Sequence, residues 1–193
     1  MAILKPIAGS RRWLAAWIVR LALLVAVAPM AVAQSATSNE YQLKAVFLFN
    51  FAQFVEWPAH AFRAADAPLV IGVLGEDPFG AYLDELVRGE KIGAHPLIVR
   101  RYKRAEDITE CHMLFISPSE AGALEKILPS LKGRSLLTVS DADGFMRQGG
   151  MVRFVTENGK IRLKINVEAA KAGELTISSK ILSPATIVVP GKD

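Results

Sequence analysis

Apolar residues in the range 39–58 recur at every third or fourth position, a spacing that predicts an amphipathic helix. Ser38 or Asn39 is expected to be the N-cap, and Pro58 is expected to end the helix. Polar side chains interrupt the apolar run, which argues against a bilayer span. We predict a core helix with one edge facing a partner protein. Its apolar stripe comprises Leu43, Phe47, Phe51 and Phe54, with Trp57 at the exit.

After this helix, continuous apolar runs alternate with amphipathic stretches. Strands are predicted at residues 69–74, 97–102, 112–116 and 135–139. Helices are predicted at residues 79–88 and 117–131, with a brief polar helix or turn at 105–108. Such alternation is typical of a layered α/β domain, in which helices cover a largely parallel sheet.

The C-terminal part of the chain changes to strict alternation of apolar and polar residues. Strands are predicted at residues 151–156 and 160–166, on either side of the hairpin turn Glu157-Asn158-Gly159. A short helix is predicted at 167–172, whereas residues 175–182 fit a strand or a helix equally well. The predicted fold class is therefore α/β, a layered single domain with a mixed sheet, parallel strand–helix units and a C-terminal antiparallel hairpin.

The first 33 residues have the three parts of a secretory signal peptide. Basic residues precede an apolar run at 21–28, and Ala31-Val32-Ala33 fits a small-x-small cleavage site before Gln34. An uncleaved anchor over residues 13–33 is the alternative, but burying Arg20 in a bilayer would cost about 2.5–3.5 kcal/mol. A partial twin-arginine pattern at 10–14 competes with the general secretory route, which we favour.

The predicted organisation is a cleaved signal peptide at 1–33, a short polar lead-in at 34–38 and one α/β domain at 39–189. Export by this route predicts a protein that works outside the cytoplasm. The whole chain has 23 Lys+Arg and 19 Asp+Glu, and the signal segment holds four of the basic residues and no acidic one. The exported chain is therefore neutral, without the basic surface that nucleic-acid binding requires.

The chain shows no catalytic or metal-binding motif. Cys111 is the single cysteine, so no internal disulfide can form. We predict a buried free thiol, with an intermolecular disulfide as the alternative. His112 is its neighbour on a strand, so the two side chains should point to opposite faces. Residues 141–144 resemble half of a calcium loop, but the later ligands are missing and a surface turn is predicted. We therefore predict that the protein is not an enzyme and uses no cofactor or metal.

Several motifs of the chain resemble the YfiR-like family of periplasmic proteins. They span nearly all of the exported chain and occur in the order expected for the family. The most specific is the first, YQLKAVFLFNF at 41–51 followed by FVEWP at 54–58. The others are CHMLFIS at 111–117, GGM at 149–151, INVEAA at 165–170 and LTISSKIL at 175–182.

The resemblance implies a regulator of a membrane diguanylate cyclase. Family members are described as dimers that bind the periplasmic portion of the cyclase and hold it inactive. Release of the cyclase raises cyclic di-GMP and favours biofilm. Some members carry disulfides, and Cys111 stands where the family often has a cysteine. Its partner cysteines are absent from this chain, so redox gating through internal disulfides is not expected.

Three functions follow from these observations. We predict first a periplasmic protein that binds and represses an inner-membrane diguanylate cyclase, lowering cyclic di-GMP. The second is a periplasmic small-molecule-binding module without a cyclase partner, because strand ends of α/β domains commonly hold ligands. The third is an envelope hydrolase whose residues come together from distant segments. The predicted cyclase contacts are Arg162, Asn166, Glu168, Lys171 and Lys180.

Overall fold

A computed structural model describes residues 28–188, in which eight strands form one mixed sheet and two form a separate small ladder. The ladder pairs β1 (Val55–Glu56) with β9 (Thr176–Ile177). The strands of the large sheet are β2 (Leu69–Leu74), β3 (Lys91–Ile92), β4 (His95–Tyr102), β5 (Met113–Ile116), β6 (Leu137–Ser140), β7 (Val152–Glu157), β8 (Lys160–Ile165) and β10 (Thr186–Ile187).

The strand order across the large sheet is β10-β8-β7-β6-β5-β2-β4-β3. The central pairs β4/β2, β2/β5, β5/β6 and β6/β7 are all parallel. By contrast, β7 and β8 form an antiparallel hairpin, whose two-residue turn has positive φ at Asn158 and Gly159. The predicted fold class is confirmed.

Five helices occur in the described part of the chain. They are α1 (Ala28–Phe54), α2 (Ala81–Val87), α3 (Leu124–Ser130), α4 (Val167–Ala172) and α5 (Ser179–Leu182). The helix predicted at 117–131 is instead a 3₁₀ segment, Pro118–Ala123, followed by α3. Gly122 lies within the 3₁₀ segment, where its low helix propensity disfavours a continuous α-helix. The ambiguous segment 175–182 contains both β9 and α5.

Both ends of α1 differ from the prediction. The helix begins at Ala28, upstream of Ser38, in a stretch where Pro29 is compatible with a first helical turn. It ends at Phe54 rather than at Pro58, because Val55 pairs with Ile177 in the small ladder. Trp57 therefore lies beyond the helix, where its Nε1 donates a hydrogen bond to the His112 carbonyl at 2.9 Å.

The predicted signal peptide falls mainly outside the described residues, which begin at residue 28. Its cleavage after Ala33 and the division into 1–33, 34–38 and 39–189 stay predictions. Between residues 28 and 188, none of the helices combines the length and the apolar character needed to cross a bilayer.

Each face of the large sheet has its own apolar core, because successive strand residues point to opposite faces. Ile71 and Val73 of β2 belong to the core that includes the C-terminal half of α1. Leu74, at the end of the same strand, belongs to the core that includes Leu124 and Leu128 of α3. The central sheet is therefore covered on both faces, which explains why its strands appear in the sequence as continuous apolar runs.

The face that α1 turns towards the sheet differs from the predicted stripe. Leu43, expected at the start of the stripe, is 48% exposed, whereas Ala45, Leu48 and Ala52 are completely buried. Small side chains at 45 and 52 allow the helix to approach the sheet closely. Among the aromatic residues predicted for the core, Phe51 is buried, and Phe47, Phe54 and Trp57 are partly buried against the same core.

A buried ion pair joins α1 to the loop after β6. The Lys44 ammonium donates to Asp141 Oδ2 at 2.5 Å, and the Tyr41 hydroxyl donates to the same oxygen at 2.9 Å. The Lys44 side chain is 3% exposed and that of Asp141 is 10% exposed. The prediction of a surface turn at 141–144 is therefore wrong for Asp141, whose carboxylate points inward to Lys44.

Candidate functional site

Four of the five predicted cyclase contacts lie on the surface. Arg162 is exposed on β8, and Lys180 is exposed on α5 with its Nζ 5.0 Å from the centre of the Phe54 ring. Glu168 and Lys171 are exposed on α4, where the carboxylate accepts a hydrogen bond from the ammonium at 3.2 Å. The structure thus places these four residues on three elements of the C-terminal part, β8, α4 and α5.

Asn166, the fifth predicted contact, is only 3% exposed. Its Oδ1 accepts a hydrogen bond from the Ala169 amide at 3.0 Å, so the side chain is the N-cap of α4. Asparagine directly before a helical stretch is a sequence signal for this role. Its burial removes Asn166 from the exposed surface, although the side chain lines a cleft that is described below.

A row of basic residues lies along the outer strand of the C-terminal hairpin. Lys160, Arg162 and Lys164 occupy alternate positions of β8 and therefore share one face of the sheet. None of the three makes an ion pair with any other residue between 28 and 188. β10 pairs only with Lys164 and Ile165, so within that range no strand covers the outer edge of residues 160–163. We call these three cations and the open edge at 160–163 the basic edge.

The Cys111 thiol is buried, as predicted, and it forms no disulfide within the described residues. Its Sγ donates to the Met113 carbonyl at 3.0 Å. Gly72 makes room for it, since a Cβ at that position would lie 2.6 Å from the sulfur. Burial raises the pKa of the Cys111 thiol to about 12. The thiolate is the nucleophilic form, so this cysteine is unreactive in the folded protein.

His112 is held in its neutral form by two backbone groups. Its Nδ1 accepts from the Val70 amide at 3.1 Å, and its Nε2 donates to the Ala61 carbonyl at 3.1 Å. The Phe62 ring stacks on it at 4.4 Å between centroids. Burial is the main cause that lowers the pKa of His112. The ring is therefore a structural element between β5 and the segment after α1.

Acidification should remove the stability that neutral His112 contributes. Its pKa is lower in the folded chain than the unfolded value of about 6.5, so below that pH the unfolded chain binds more protons. We expect the free energy of unfolding to fall from pH 7 to pH 5. In a His112→Asn variant, which keeps an acceptor for Val70, this part of the fall should be absent. Urea unfolding across the pH range gives the free energy of unfolding of the native chain and of the variant. If the two fall in parallel with pH, His112 is not the group responsible.

His60, Ser135 and Glu174 come together at the surface but cannot act as a hydrolytic triad. The Ser135 hydroxyl lies 3.4 Å from His60 Nε2, and the Glu174 carboxylate lies 4.0 Å from the same nitrogen. A proton relay needs the acid on Nδ1 and the nucleophile on Nε2. The imidazole and the carboxylate are also largely exposed. This group therefore gives no support to the hydrolase alternative.

Comparison with family models assigns this chain to a family. No curated protein matches this chain. A domain family described as YfiR/HmsC-like matches residues 41–186, well over half of the 193 residues. The matched range begins inside α1 and ends in β10, so it includes both cores, the basic edge and the α4 region. The resemblance predicted from the motifs is confirmed: the chain belongs to the YfiR/HmsC-like family, at the family level a group of periplasmic regulators of a diguanylate cyclase.

Proposed function

We propose that this protein binds the periplasmic part of an inner-membrane diguanylate cyclase and represses the enzyme, lowering cyclic di-GMP in the cell. Membership of the YfiR/HmsC-like family supports the general role. The observation that carries the proposal for this chain is the basic edge. Its three side chains make no ion pair with the other described residues, and no described strand pairs with the outer edge of residues 160–163.

An open strand edge accepts another strand through its free N–H and C=O groups. Pairing with a second copy of the same edge is disfavoured here. An antiparallel pair centred on Arg162 would place Arg162 opposite its own copy and Lys160 opposite Lys164. Like charges directly opposite each other destabilise a strand pair. A homodimer, which the family resemblance implies, would therefore use a different surface.

A partner strand that carries acidic residues would instead gain from the same three cations. The proposed cyclase contact is thus an extended acidic segment that adds to the sheet beside β8, with Glu168, Lys171 and Lys180 as further surface contacts. Repression follows if the segment is available for pairing only in the inactive conformation of the cyclase. Binding then shifts the population of the enzyme towards that conformation.

Deletion of the gene in its native bacterium is expected to raise intracellular cyclic di-GMP and biofilm formation. Restoring the full chain should reverse the rise, whereas a copy that lacks residues 1–33 should not, because the cyclase contact lies in the periplasm. The measurement is cyclic di-GMP by mass spectrometry. An unchanged level after deletion would count against repression of a cyclase.

Reversal of two charges on the basic edge should abolish the rescue. The Lys160→Glu/Arg162→Glu double variant replaces attraction to an acidic strand by repulsion, and we expect cyclic di-GMP to stay at the deletion level. The matched control is Lys103→Glu/Lys126→Glu, which reverses two exposed cations elsewhere and should restore repression. Equal periplasmic amounts are verified by immunoblot. Full rescue by the edge variant would reject the basic edge as the contact while leaving repression itself intact.

The small-molecule-binding alternative is favoured by one specific observation, a cleft between α3 and α4 with apolar walls. Two results together would favour this function over repression. The melting temperature of the purified protein would rise with ligand, and deletion of the gene would leave cyclic di-GMP unchanged. The two functions are compatible, since a ligand can tune a repressor.

A further inference from the structure

The cleft lies between the C-terminal end of α3 and one side of α4, next to the start of β6. Its volume is about 440 Å³, within the range of about 300–1,000 Å³ that is usual for small-molecule sites. Its walls are mainly apolar, with Leu131 and Leu136 buried beside it. The apolar residues that line it are Leu128, Leu131, Leu136, Met151, Ala169 and Ala172.

Two buried polar side chains that line this cleft have hydrogen-bond donors without an acceptor. Asn166 uses Oδ1 to cap α4, but its Nδ2 has no acceptor among residues 28–188. Thr138 is 4% exposed, and its Oγ1 accepts from the Met151 amide at 3.2 Å. Its hydroxyl hydrogen likewise has no acceptor within that described range. Asn166 Nδ2 is not one of the fully enclosed atoms that lack a partner, so it stays accessible from the cleft that Asn166 lines. Both donors are therefore placed to bind a ligand that supplies acceptors.

The charges around the cleft also favour an acceptor. Lys132 is exposed at the rim and makes no ion pair with the other described residues. Arg134 is bound through its guanidinium to the Ile108 and Thr109 carbonyls, which are neutral acceptors and leave its charge uncompensated. Glu168 is the single acid of the lining, and its carboxylate is already paired with Lys171.

We infer that the cleft between α3 and α4 binds a small molecule with an apolar body and a carboxylate group. The apolar body lies against the leucines and alanines. The carboxylate accepts from Asn166 Nδ2 and the Thr138 hydroxyl, with Lys132 and Arg134 supplying a favourable potential. This site is separate from the basic edge, and its test does not depend on a cyclase.

Matched acids and alcohols test the inference directly. The probes are octanoate and phenylacetate, compared with octan-1-ol and 2-phenylethanol at neutral pH. Titration calorimetry gives the affinities, and the side-chain amide resonances of Asn166 in an ¹⁵N-labelled protein report on the donor itself. We expect at least one acid to bind with a Kd below about 1 mM and to shift the Asn166 amide. The corresponding alcohol should bind at least about tenfold more weakly, because hydrogen bonds to a charged group are the stronger ones.

Two variants separate the carboxylate contact from the apolar walls. Asn166→Asp keeps an oxygen to cap α4 but replaces the donor by a negative oxygen. It should weaken binding of the acid by about 10- to 100-fold without weakening that of the alcohol. Lys132→Glu alters only the exposed rim and should weaken binding of the acid about threefold. Lys126→Glu reverses an exposed cation of α3 outside the lining, and binding should be unchanged.

Three results would each overturn the inference. The first is no binding of either acid up to about 1 mM. The second is an alcohol that binds as tightly as its acid, which would show an apolar groove without a carboxylate contact. The third is binding that leaves the Asn166 amide resonance of the native protein unshifted. If Asn166→Asp does not fold, the resonance shift and the comparison of Lys132→Glu at the rim with Lys126→Glu outside it still decide between these outcomes.

Discussion

Replacement of Phe51 by alanine is expected to lower the free energy of unfolding by about 3–5 kcal/mol. The Phe51 side chain is 1% exposed and stacks on Phe154 of β7, with ring centroids 6.0 Å apart and planes 15° apart. The Phe47 ring also packs on Phe154, with centroids 5.8 Å apart. Phe47 and Phe154 would therefore both border the cavity that Phe51→Ala creates. The loss therefore combines the transfer free energy of the ring with the cost of a cavity between helix and sheet.

Urea unfolding followed by circular dichroism measures this loss. Gln53→Ala is the matched control, because Gln53 is exposed on the same helix and its replacement should change stability by no more than about 0.5 kcal/mol. The loss for Phe47→Ala should lie between those for Phe51→Ala and Gln53→Ala, since Phe47 is only partly buried. A loss below about 1 kcal/mol for Phe51→Ala would contradict the packing of α1 on β7.

Replacement of Lys44 by methionine is the second change with a large expected effect, a loss of about 3–5 kcal/mol. Methionine keeps much of the apolar stem but removes the ammonium that binds Asp141 at 2.5 Å. The Asp141 carboxylate would remain almost fully buried, with the Tyr41 hydroxyl still donating to Oδ2. An uncompensated buried charge is much more costly than a broken ion pair at the surface.

A double-mutant cycle isolates the contribution of the pair. Asp141→Asn in the Lys44→Met background removes the stranded charge, so the double variant should be more stable than the sum of the two single losses predicts. Lys103→Met, at an exposed position, is the control and should change stability by no more than about 0.5 kcal/mol. If Lys44→Met costs no more than this control, the ion pair does not hold α1 to the β6 loop.

Local patterns were sufficient for most of the secondary structure. β2 and β5 appear as apolar runs because both of their faces are buried. The β7–β8 hairpin follows from Asn158-Gly159, since few other residues accept positive φ at both positions. The motif at 41–58 was specific enough to indicate the YfiR-like family, and the later motifs supported it by their order. All of these signals involve residues that are neighbours in the chain.

The orientation of α1 could not be predicted in the same way. Apolar residues surround much of this helix, so helical spacing alone allowed more than one inward face. Packing against the sheet selected Ala45, Leu48 and Ala52, and left Leu43 exposed. Lys44 is one of the polar residues that interrupt the apolar run, yet it is buried because its ammonium binds Asp141, 97 positions away.

The candidate sites depended even more on tertiary structure. Alternating cations on β8 are visible in the sequence, but the open edge beside them exists because β8 lies next to the sheet margin and β10 covers only its end. Thr138 and Asn166 line one cleft because β6 and the start of α4 come together in the fold. The sequence by itself determined the helices, the strands, the hairpin and the family. Only the fold decided which faces are buried and which donors and charges meet, because those outcomes depend on contacts between residues distant in the chain.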